Sequence, residues 1–589
     1  MPKASIDLHT PKAKIWKVKL ETLLKRLATT SLPEVFLVSI FVLERWWSNS
    51  DFSYPSEIFI PLILFGVLTS AGFYLYKRLM PDNLSAHIAA LALGYSLYAY
   101  QFIENSWLGI RLLKVLPHNL ATPLTKSLFL VVILGLIYAL GGWSVSKMIN
   151  RYQSIARLQL YKVLLFAILF VFMIQLFKVG SRLLDIHKEL SYRYPSPALT
   201  KPAKSSIQPK PDIYYLEYED YTNAQVLKDV YHYDETPFLD FLASQGFVNR
   251  PAAYSNYPVT TSSIASTLAM NYLPEFGDMF GEQRHWQTAF PYRDIINDPP
   301  LTKILKQSGY QFDMLSSWWD FTRLGIKADS NPTISYRLKI LNKPFFLSDL
   351  QRDMLNKSVL SPWLKKGLSL GRRAFIKYDL DRNPKENFLS QQAALEKIVS
   401  RTDNSTPHFI FGFYLLPHTP YIFNADGSPT AYDVERNDNG ADENIKYANQ
   451  VAYLNGQIEK TIKLIKSHSP NAVIIIQSDE GSYPKSFRFE LTPNHYYNPI
   501  NLSIPEMRQK TAILASYYTP GVDPALTSKE LSSSVNAFRF VLNQYLGYNL
   551  PMLPDCHFAA GDKYSLYNYQ LITDKLTGQS APAACQQYE

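Results

Sequence analysis

Long apolar stretches in the first third of the chain constrain its fold more than any other feature of the sequence. The clearest of them lie at residues 58–76, 87–102, 128–146 and 160–177. A weaker fifth stretch, Leu32–Trp47, contains the charged residues Glu34, Glu44 and Arg45. A helix that crosses a bilayer needs about 17–25 mostly apolar residues. We therefore predict a bundle of about five transmembrane helices, or four if Leu32–Trp47 lies along the membrane surface.

Positive charge is concentrated beside these stretches. Residues 1–200 hold 21 Lys and Arg against 10 Asp and Glu, whereas the rest of the chain holds 38 against 40. A nucleic-acid-binding protein carries its positive charge on its working domain, so this distribution argues against a nucleic-acid partner and indicates a membrane. The basic segment before residue 32 is expected inside the cell. Five spans then place the C-terminal part outside a multi-pass inner membrane, in the periplasm or its equivalent, whereas four spans place it inside.

Composition divides the chain into three expected parts. Residues 1–180 form the membrane anchor, residues 181–210 form a juxtamembrane helix and a linker, and residues 211–589 form one large extracytoplasmic domain. The linker contains closely spaced prolines and lysines, which is typical of a semi-rigid extended segment.

Short apolar runs alternate with helical patterns in the C-terminal part. The runs lie at residues 213–218, 310–315, 408–416, 472–477 and 512–517, and the helical patterns at 236–245 and 444–467. This alternation predicts an α/β domain with a mostly parallel central sheet. Ligands bind beyond the carboxyl ends of such strands, where Glu219, His418, Asp479 and Glu480 follow three of the runs. Each of these residues could also serve only as a helix cap or turn residue.

A cluster of hydroxyl residues precedes a further helical pattern. The segment 255–263 (SNYPVTTSS) is followed by the apolar run 264–270, so Thr260 is expected at a helix N-terminus. Free backbone N–H groups there bind anions and stabilise a developing alkoxide. A threonine hydroxyl that also contacts a metal ion could attack a phosphate. The alternative is an ordinary N-cap.

Four sequence blocks together resemble a known superfamily. They are 211–219 (PDIYYLEYE), 255–260 (SNYPVT), 416–420 (LPHTP) and 477–481 (QSDEG). In order and spacing they resemble the alkaline phosphatase/sulfatase superfamily, and more narrowly its membrane-anchored lipoteichoic acid synthases and lipid A phosphoethanolamine transferases. The resemblance implies a transmembrane bundle followed by a sulfatase-like α/β domain.

The resemblance also implies a reaction. A metal-dependent transferase would move a phosphoglycerol or phosphoethanolamine group from a membrane phospholipid donor to an envelope glycan or lipid acceptor. Thr260 would carry the group as a phosphothreonine and His418 would contact the phosphate, while Glu219, Thr260, Asp479 and Glu480 would bind the metal. A phosphodiesterase or other hydrolase, and a degenerate glycan-binding domain, remain the alternatives. The oligomeric state is left open.

One position departs from the resemblance. Lipoteichoic acid synthases end the last block with Asp-His, whereas this chain has Asp479 followed by Glu480. An all-oxygen ligand set suits Mn²⁺ or Mg²⁺, with Zn²⁺ as the alternative if His495 binds in place of Glu480. Nothing near Thr260 resembles the Cys or Ser block that sulfatases convert to formylglycine, which argues against sulfate-ester hydrolysis.

Two groups of residues complete the predictions. His495 is a second candidate, after His418, for contact with the substrate, and Arg284, His285 and Trp286 are candidates for contact with the head group unless they form only a surface loop. Cys556 and Cys585 are the only cysteines, and both lie in the part expected outside the cytoplasm. Disulfides persist in such an oxidising compartment, so we predict that they form one.

Overall fold

The fold is described here from a computed structural model. It covers residues 18–588 apart from 20, 24, 118–121, 151–153, 196–208, 282–285, 324, 326, 334–337, 341–342, 346, 367, 371–372, 378–383, 402–404, 431–442, 485–497 and 563. The chain forms two compact units. The first comprises Met1–Asp185 and Tyr336–Asp381, and the second comprises Ile186–Ser335 and Arg382–Glu589. The expected anchor of residues 1–180 lies in the first unit, which also takes in a segment from the expected C-terminal domain.

The described strands, in chain order, are β1 (Ile213–Tyr218), β2 (Val248–Asn249), β3 (Gln311–Leu315), β4 (Leu338–Ile340), β5 (Lys343–Phe345), β6 (Leu368–Leu370), β7 (Arg373–Lys377), β8 (His408–Tyr414), β9 (Val473–Ser478), β10 (Ala515–Tyr518), β11 (Phe558–Ala559) and β12 (Gln570–Leu571). The helices of the first unit are Leu32–Trp47, Phe59–Leu79, Asn83–Tyr98, Tyr100–Glu104, Trp107–Leu113, Pro123–Asn150, Ser154–Asp185, Asp349–Lys357 and Ser361–Lys366, with a 3₁₀ turn at Pro55–Ile58. The helices of the second unit are His187–Ser191, Ala224–Tyr231, Thr236–Ser244, Thr260–Ala269, Glu275–Phe280, Phe290–Asn297, Pro300–Gln307, Asp320–Arg323, Pro384–Val399, Glu443–His468, Ile504–Thr511, Pro524–Glu530, Ala537–Leu546 and Thr573–Thr577. Its 3₁₀ turns are Pro499–Asn501, Ser534–Asn536 and Ala583–Tyr588.

Three helices of the first unit are long and apolar enough to cross a membrane. They are Pro55–Leu79, Pro123–Met148 and Gln159–Asp185. A fourth counts if Glu21–Leu27 and Leu32–Trp47, which meet at a bend of 72°, form one span. Over the described residues the structure therefore gives three or four spans where the sequence suggested about five.

The predicted span at 87–102 falls short whether three or four spans are counted. The helix Asn83–Tyr98 has 16 residues, which gives a length of about 24 Å at 1.5 Å per residue. This is less than the roughly 30 Å hydrocarbon thickness of a bilayer. Ala99 then separates this helix from the short helix Tyr100–Glu104.

Charged residues of the helix Leu32–Trp47 are paired within the first unit. Glu34 Oε1 lies 2.8 Å from His87 Nδ1, and both side chains are fully buried. Near the other end of the helix, Lys178 Nζ lies 2.6 Å from Glu44 Oε2. Pairing lowers the cost of keeping charged side chains among apolar helices, and so accounts for the acidic residues in this stretch.

The segment Tyr336–Asp381 joins the first unit through its own secondary structure. Its four strands form an antiparallel sheet in the order β5-β4-β7-β6. Its helix Asp349–Lys357 is anchored because Gln351 Nε2 donates a 2.8 Å hydrogen bond to the carbonyl of Glu57. Val359 N donates a 2.9 Å bond to the carbonyl of Leu97. Sequence pattern gave no sign that this segment packs with the N-terminal helices.

A six-stranded sheet forms the centre of the second unit. Its order is β2-β10-β9-β1-β8-β3. Four adjacent strands, β9, β1, β8 and β3, run parallel to one another. At the other side of the sheet, β10 runs antiparallel to β9, and β2 runs antiparallel to β10. The expected α/β domain with a mostly parallel sheet is thus confirmed.

Both faces of this sheet are buried, which explains why its strands read as continuous apolar runs. On one face, Tyr215 packs edge-on against Phe538 of the helix Ala537–Leu546, with ring centroids 5.0 Å apart. The opposite face carries Leu216, which shares a buried cluster with Leu454 and Ile458 of the helix Glu443–His468. Burying such a side chain contributes about 1.5–3 kcal/mol. Because both faces are covered, polar residues lie beyond the carboxyl ends of the parallel strands.

The two cysteines are close to the C-terminus. Cys556 and Cys585 form a disulfide that closes a segment of 29 residues, as predicted. Both side chains are buried in the core of the second unit.

Candidate active site

The register of the parallel strands determines which residues meet at the carboxyl edge of the sheet. Tyr218, the last residue of β1, pairs with Tyr414 of β8 and with Ser478 of β9. The residues that follow these strands therefore leave the sheet side by side. They include Glu219 after β1 and Asp479 after β9. The sheet topology thus brings together polar residues that are some 200 positions or more apart in sequence.

Thr260 reaches this edge from the start of a helix. The helix Thr260–Ala269 begins after Val259, whose backbone is extended and whose side chain makes no capping bond. Thr260 Oγ1 donates a 3.0 Å hydrogen bond to Glu480 Oε1. One turn later, Ser263 Oγ donates a 2.6 Å bond to the carbonyl of Asp479. The hydroxyl face of this helix is therefore fixed against the segment that follows β9, and its N-terminal N–H groups carry partial positive charge beside Thr260.

Lys510 is a central residue of the site, and the sequence analysis missed it. It lies in the last turn of the helix Ile504–Thr511 and its side chain is fully buried. Its Nζ lies 2.7 Å from Glu480 Oε1 and 3.0 Å from Asp220 Oδ1. The ammonium also lies 3.3 Å from the centroid of the Tyr483 ring. No motif surrounds Lys510 in the sequence, so no local signal could have identified it.

Asp220 is the second residue that the sequence analysis passed over. Its φ of 61° places it in the left-handed region, which a residue with a side chain adopts at a cost of about 1–2 kcal/mol. The carbonyl of Asp220 accepts a 2.6 Å hydrogen bond from the hydroxyl of Tyr447. This contact and the ion pair with Lys510 hold the strained turn. The turn reverses the chain directly after Glu219.

His418 approaches the same carboxylates from the loop after β8. Its Nε2 lies 3.8 Å from Asp220 Oδ2, and about a quarter (25%) of its side chain is exposed. Its Nδ1 contacts the carbonyl of Thr419. Burial alone would lower the pKa of His418, but the negative charges of Glu219 and Asp220 outweigh it and raise the pKa above the usual value. The imidazole is therefore biased toward its protonated form.

Burial and crowding act on the carboxyl groups themselves. Burial raises the pKa of Asp479 well above its usual range, and the neighbouring Glu480 and Glu219 raise it further. Burial also raises the pKa of Glu219, although His418 opposes the shift. Burial likewise raises the pKa of Glu480 against the opposing charge of Lys510. Burial and the crowding of acidic groups therefore favour the protonated forms of Asp479, Glu219 and Glu480.

The donor chemistry of this cluster fits a divalent cation. Glu219 Oε2, Asp479 Oδ2 and Glu480 Oε2 are buried and accept no hydrogen bond from any described residue. Hard oxygen donors of this kind suit Mg²⁺ or Mn²⁺. Within the described parts of the chain, however, no three His, Cys, Asp or Glu side chains converge closely enough to hold an ion. Glu480 and Asp220 are instead paired with the ammonium of Lys510.

The remaining predicted site residues fall elsewhere. His495, Arg284 and His285 lie outside the described residues. Trp286 is partly buried in the loop before the helix Phe290–Asn297. The structure therefore joins Thr260 to Glu480 by a hydrogen bond and holds Asp479 against the same helix through Ser263. Glu219 and His418 lie close enough to interact electrostatically.

Comparison with known proteins gives the family. A family model described as Sulfatase matches residues 219–543. Similar solved structures include the integral membrane protein lipooligosaccharide phosphoethanolamine transferase A from Neisseria meningitidis, with 14% identity and a TM-score of 0.37 over 90% of this chain and 97% of that one. Another is the C-terminal periplasmic domain of EptC from Escherichia coli, with 14% identity and a TM-score of 0.39 over 67% of this chain and 99% of that one. A zinc complex of the same domain shows 14% identity and a TM-score of 0.36 over 61% of this chain and 88% of that one.

No curated protein matches the chain. The family model covers more than half of the sequence and includes all of the residues that meet at the carboxyl edge of the sheet. The chain therefore belongs to the sulfatase family.

Proposed function

We propose that the protein is a metal-dependent transferase acting at a membrane. It moves a phosphorylated head group, of the phosphoglycerol or phosphoethanolamine type, from a membrane phospholipid to a glycan or lipid of the cell envelope. The observation that carries this proposal is the position of the Thr260 hydroxyl. It lies at a helix N-terminus and donates a 3.0 Å bond to a buried carboxylate.

Thr260 is the proposed nucleophile of a double displacement. Its Oγ1 forms a bond to the lipid phosphorus while its proton passes to Glu480 Oε1, which already accepts the hydrogen bond. The bond from phosphorus to the lipid alcohol breaks, and the alcohol leaves with a proton from His418. An acceptor hydroxyl then attacks the phosphothreonine and passes its proton to His418, while the bond from phosphorus to Thr260 Oγ1 breaks and Glu480 returns its proton to that oxygen.

The other charged residues bind and orient the phosphate. The partial positive charge at the N-terminus of the helix Thr260–Ala269 attracts its oxygens. His418, whose pKa the negative charges of Glu219 and Asp220 raise, contacts a phosphate oxygen and donates its proton to the leaving alcohol. Glu219, Asp479 and Glu480 are the residues that would hold a divalent cation, which would supply Lewis acidity to the threonine hydroxyl.

Membership of the sulfatase family does not by itself select sulfate esters as substrates. Sulfatases act through a modified Cys or Ser, whereas this chain has Thr260 at the corresponding helix start. A threonine hydroxyl cannot become formylglycine, but it can form a phosphate ester. The residue type at position 260 thus supports phosphoryl transfer over sulfate hydrolysis.

A second candidate function is binding without catalysis. The buried ammonium of Lys510 pairs with Glu480 and Asp220, which gives the acidic cluster an internal counter-ion. Such a cluster could be retained for structure while the domain binds a glycan. Four carboxyl groups (Glu219, Asp220, Asp479 and Glu480) nevertheless lie near only two basic residues among the described ones, Lys510 and His418, and this excess of acidic groups favours the metal-dependent enzyme.

The experiment is a comparison of Thr260→Ala with Thr261→Ala in the full-length protein. Membranes or detergent micelles would contain fluorescent phosphatidylglycerol or phosphatidylethanolamine and Mn²⁺. Thr260→Ala is expected to abolish diacylglycerol release, while Thr261→Ala, its matched control on the same helix, keeps it. Intact-protein mass spectrometry should find the head group covalently attached to the wild type and absent from Thr260→Ala.

Two outcomes would contradict the assignment. Loss of turnover in Thr261→Ala but not in Thr260→Ala would move the nucleophile by one residue. Turnover in both variants would remove the hydroxyl from the reaction altogether. Product analysis separates transfer from hydrolysis, because a hydrolase releases the head group to water whether or not an acceptor is present.

Metal content tests the ligand set. Mn²⁺ or Mg²⁺ in the wild type, lost in Glu480→Gln and retained in His495→Ala, is the expected pattern. Zinc at unit stoichiometry that His495→Ala loses and Glu480→Gln keeps would replace the all-oxygen set with one containing an imidazole.

A further inference from the structure

The first unit contains a cavity that the proposed reaction does not use. Its volume is about 420 Å³, within the size range of small-molecule sites. Three elements form it: the last turn of Leu32–Trp47, the junction of Asn83–Tyr98 with Tyr100–Glu104, and the helix Asp349–Lys357. The residues that decide its chemistry are Arg45, Tyr98, Phe102, Asp353, Met354 and Lys357.

One carboxylate holds two cations at this cavity. Arg45 donates to Asp353 Oδ2 through Nε at 2.9 Å and also through Nη2. Lys357 Nζ lies 2.8 Å from Asp353 Oδ1. Among the described residues, Asp353 is the one acid that pairs with either cation. The three side chains therefore carry a net charge of +1, and the guanidinium and the ammonium keep donors available to an anion.

Most of the remaining surface of the cavity is apolar, with Gln101 and Asn105 as its other polar residues. Met354 is buried, and the ring of Tyr98 stacks on Phe41 with centroids 5.3 Å apart. Phe102, which also lines the cavity, is 74% exposed. A large apolar side chain exposed next to a cationic pocket matches a ligand that has both an anionic group and a hydrocarbon portion.

We infer that this cavity binds the phosphate group of a membrane phospholipid. The phosphodiester accepts hydrogen bonds from Arg45 and Lys357, and the acyl chains lie along Phe102 and the apolar surface of the cavity. Arg45 lies in the last turn of the helix Leu32–Trp47, in the unit that contains the three described helices long enough to span a bilayer. A basic residue at such a helix end lies at the level where phospholipid head groups are found. The inference does not rest on the proposed reaction of the second unit.

Native mass spectrometry of the full-length protein in detergent micelles tests this inference. The three probes are phosphatidylglycerol, diacylglycerol and glycerol phosphate. The wild type is expected to retain one phosphatidylglycerol and to bind the other two at least tenfold more weakly. Arg45→Gln and Lys357→Gln should each weaken retention of phosphatidylglycerol about five- to tenfold. Arg111→Gln, which removes an exposed cation from the nearby helix Trp107–Leu113, should stay within twofold of the wild type.

A steric variant protects the test against misfolding. Ala99 lines the cavity, and Ala99→Phe fills part of it without changing any charge. Loss of the phosphatidylglycerol adduct in Ala99→Phe supports the site even if a charge variant fails to fold. Equal binding of diacylglycerol would overturn the role of the phosphate, and equal binding of glycerol phosphate would overturn the lipid. Unchanged retention in Arg45→Gln, Lys357→Gln and Ala99→Phe would overturn the site.

Discussion

Glu235 should make the stability of the second unit fall as pH rises. Its side chain is 3% exposed and its Oε1 accepts a 2.5 Å hydrogen bond from the hydroxyl of Tyr221. Asn455 Nδ2 lies 3.4 Å from both of its oxygens. Burial raises the pKa of Glu235 from 4.5 to about 7, although the bonds from Tyr221 and Asn455 oppose the shift and the nearby Asp234 adds to it.

The sign follows from proton binding. Between pH 4.5 and 7 the unfolded chain has released this proton while the folded chain still holds it. Stability therefore decreases by about 1.4 kcal/mol per pH unit over this range, and the loss is complete above pH 7. The total is roughly 3 kcal/mol. Glu235→Gln removes the charge at nearly constant shape, so the variant should match the wild type near pH 4.5 and exceed its stability by up to about 3 kcal/mol at pH 8.

Denaturant unfolding of the full-length protein in detergent, followed between pH 4.5 and 8, measures the difference between variant and wild type. Glu459→Gln is the control, because Glu459 forms a partly exposed pair with Lys463 at 3.6 Å and such pairs contribute about 0.5 kcal/mol or less. A constant difference between Glu235→Gln and the wild type over this range would refute the reasoning. So would a variant that is less stable than the wild type at pH 8.

Three further predictions concern the rest of the molecule. A C-terminal reporter that is active only in the cytoplasm should be silent, since an odd number of spans after a basic N-terminus places the second unit outside; a bright reporter would instead indicate four spans and the opposite topology. Cys556→Ser with Cys585→Ser should lower the unfolding free energy by about 3–4 kcal/mol, as expected for the loop that the disulfide closes, and an unchanged melting curve would contradict this. Lys510→Met should cost on the order of 3 kcal/mol because it leaves Glu480 and Asp220 buried without their partner; a melting curve like that of the wild type would show that the ion pairs contribute little.

Local sequence patterns were sufficient for much of the fold. The run predicted at 213–218 matches β1 (Ile213–Tyr218), and the run at 472–477 lies one residue from β9 (Val473–Ser478). Continuous apolar runs identify such strands because both faces of a parallel sheet are buried. The positions of Thr260 at a helix start and of Asp479 after a strand were also readable, since each depends on its near neighbours.

The tertiary structure decided what depends on contacts between distant residues. Lys510 pairs with Asp220 across 290 positions, and no local pattern marks a lysine that will be buried against acids so far away. The left-handed turn at Asp220 is stabilised by a hydrogen bond from the hydroxyl of Tyr447, which lies on the helix Glu443–His468. The segment Tyr336–Asp381 packs with the N-terminal helices because Val359 and Gln351 bond to their backbone. Sequence alone specified the elements and many of their polar ends, whereas long-range packing and charge pairing selected which of those ends meet.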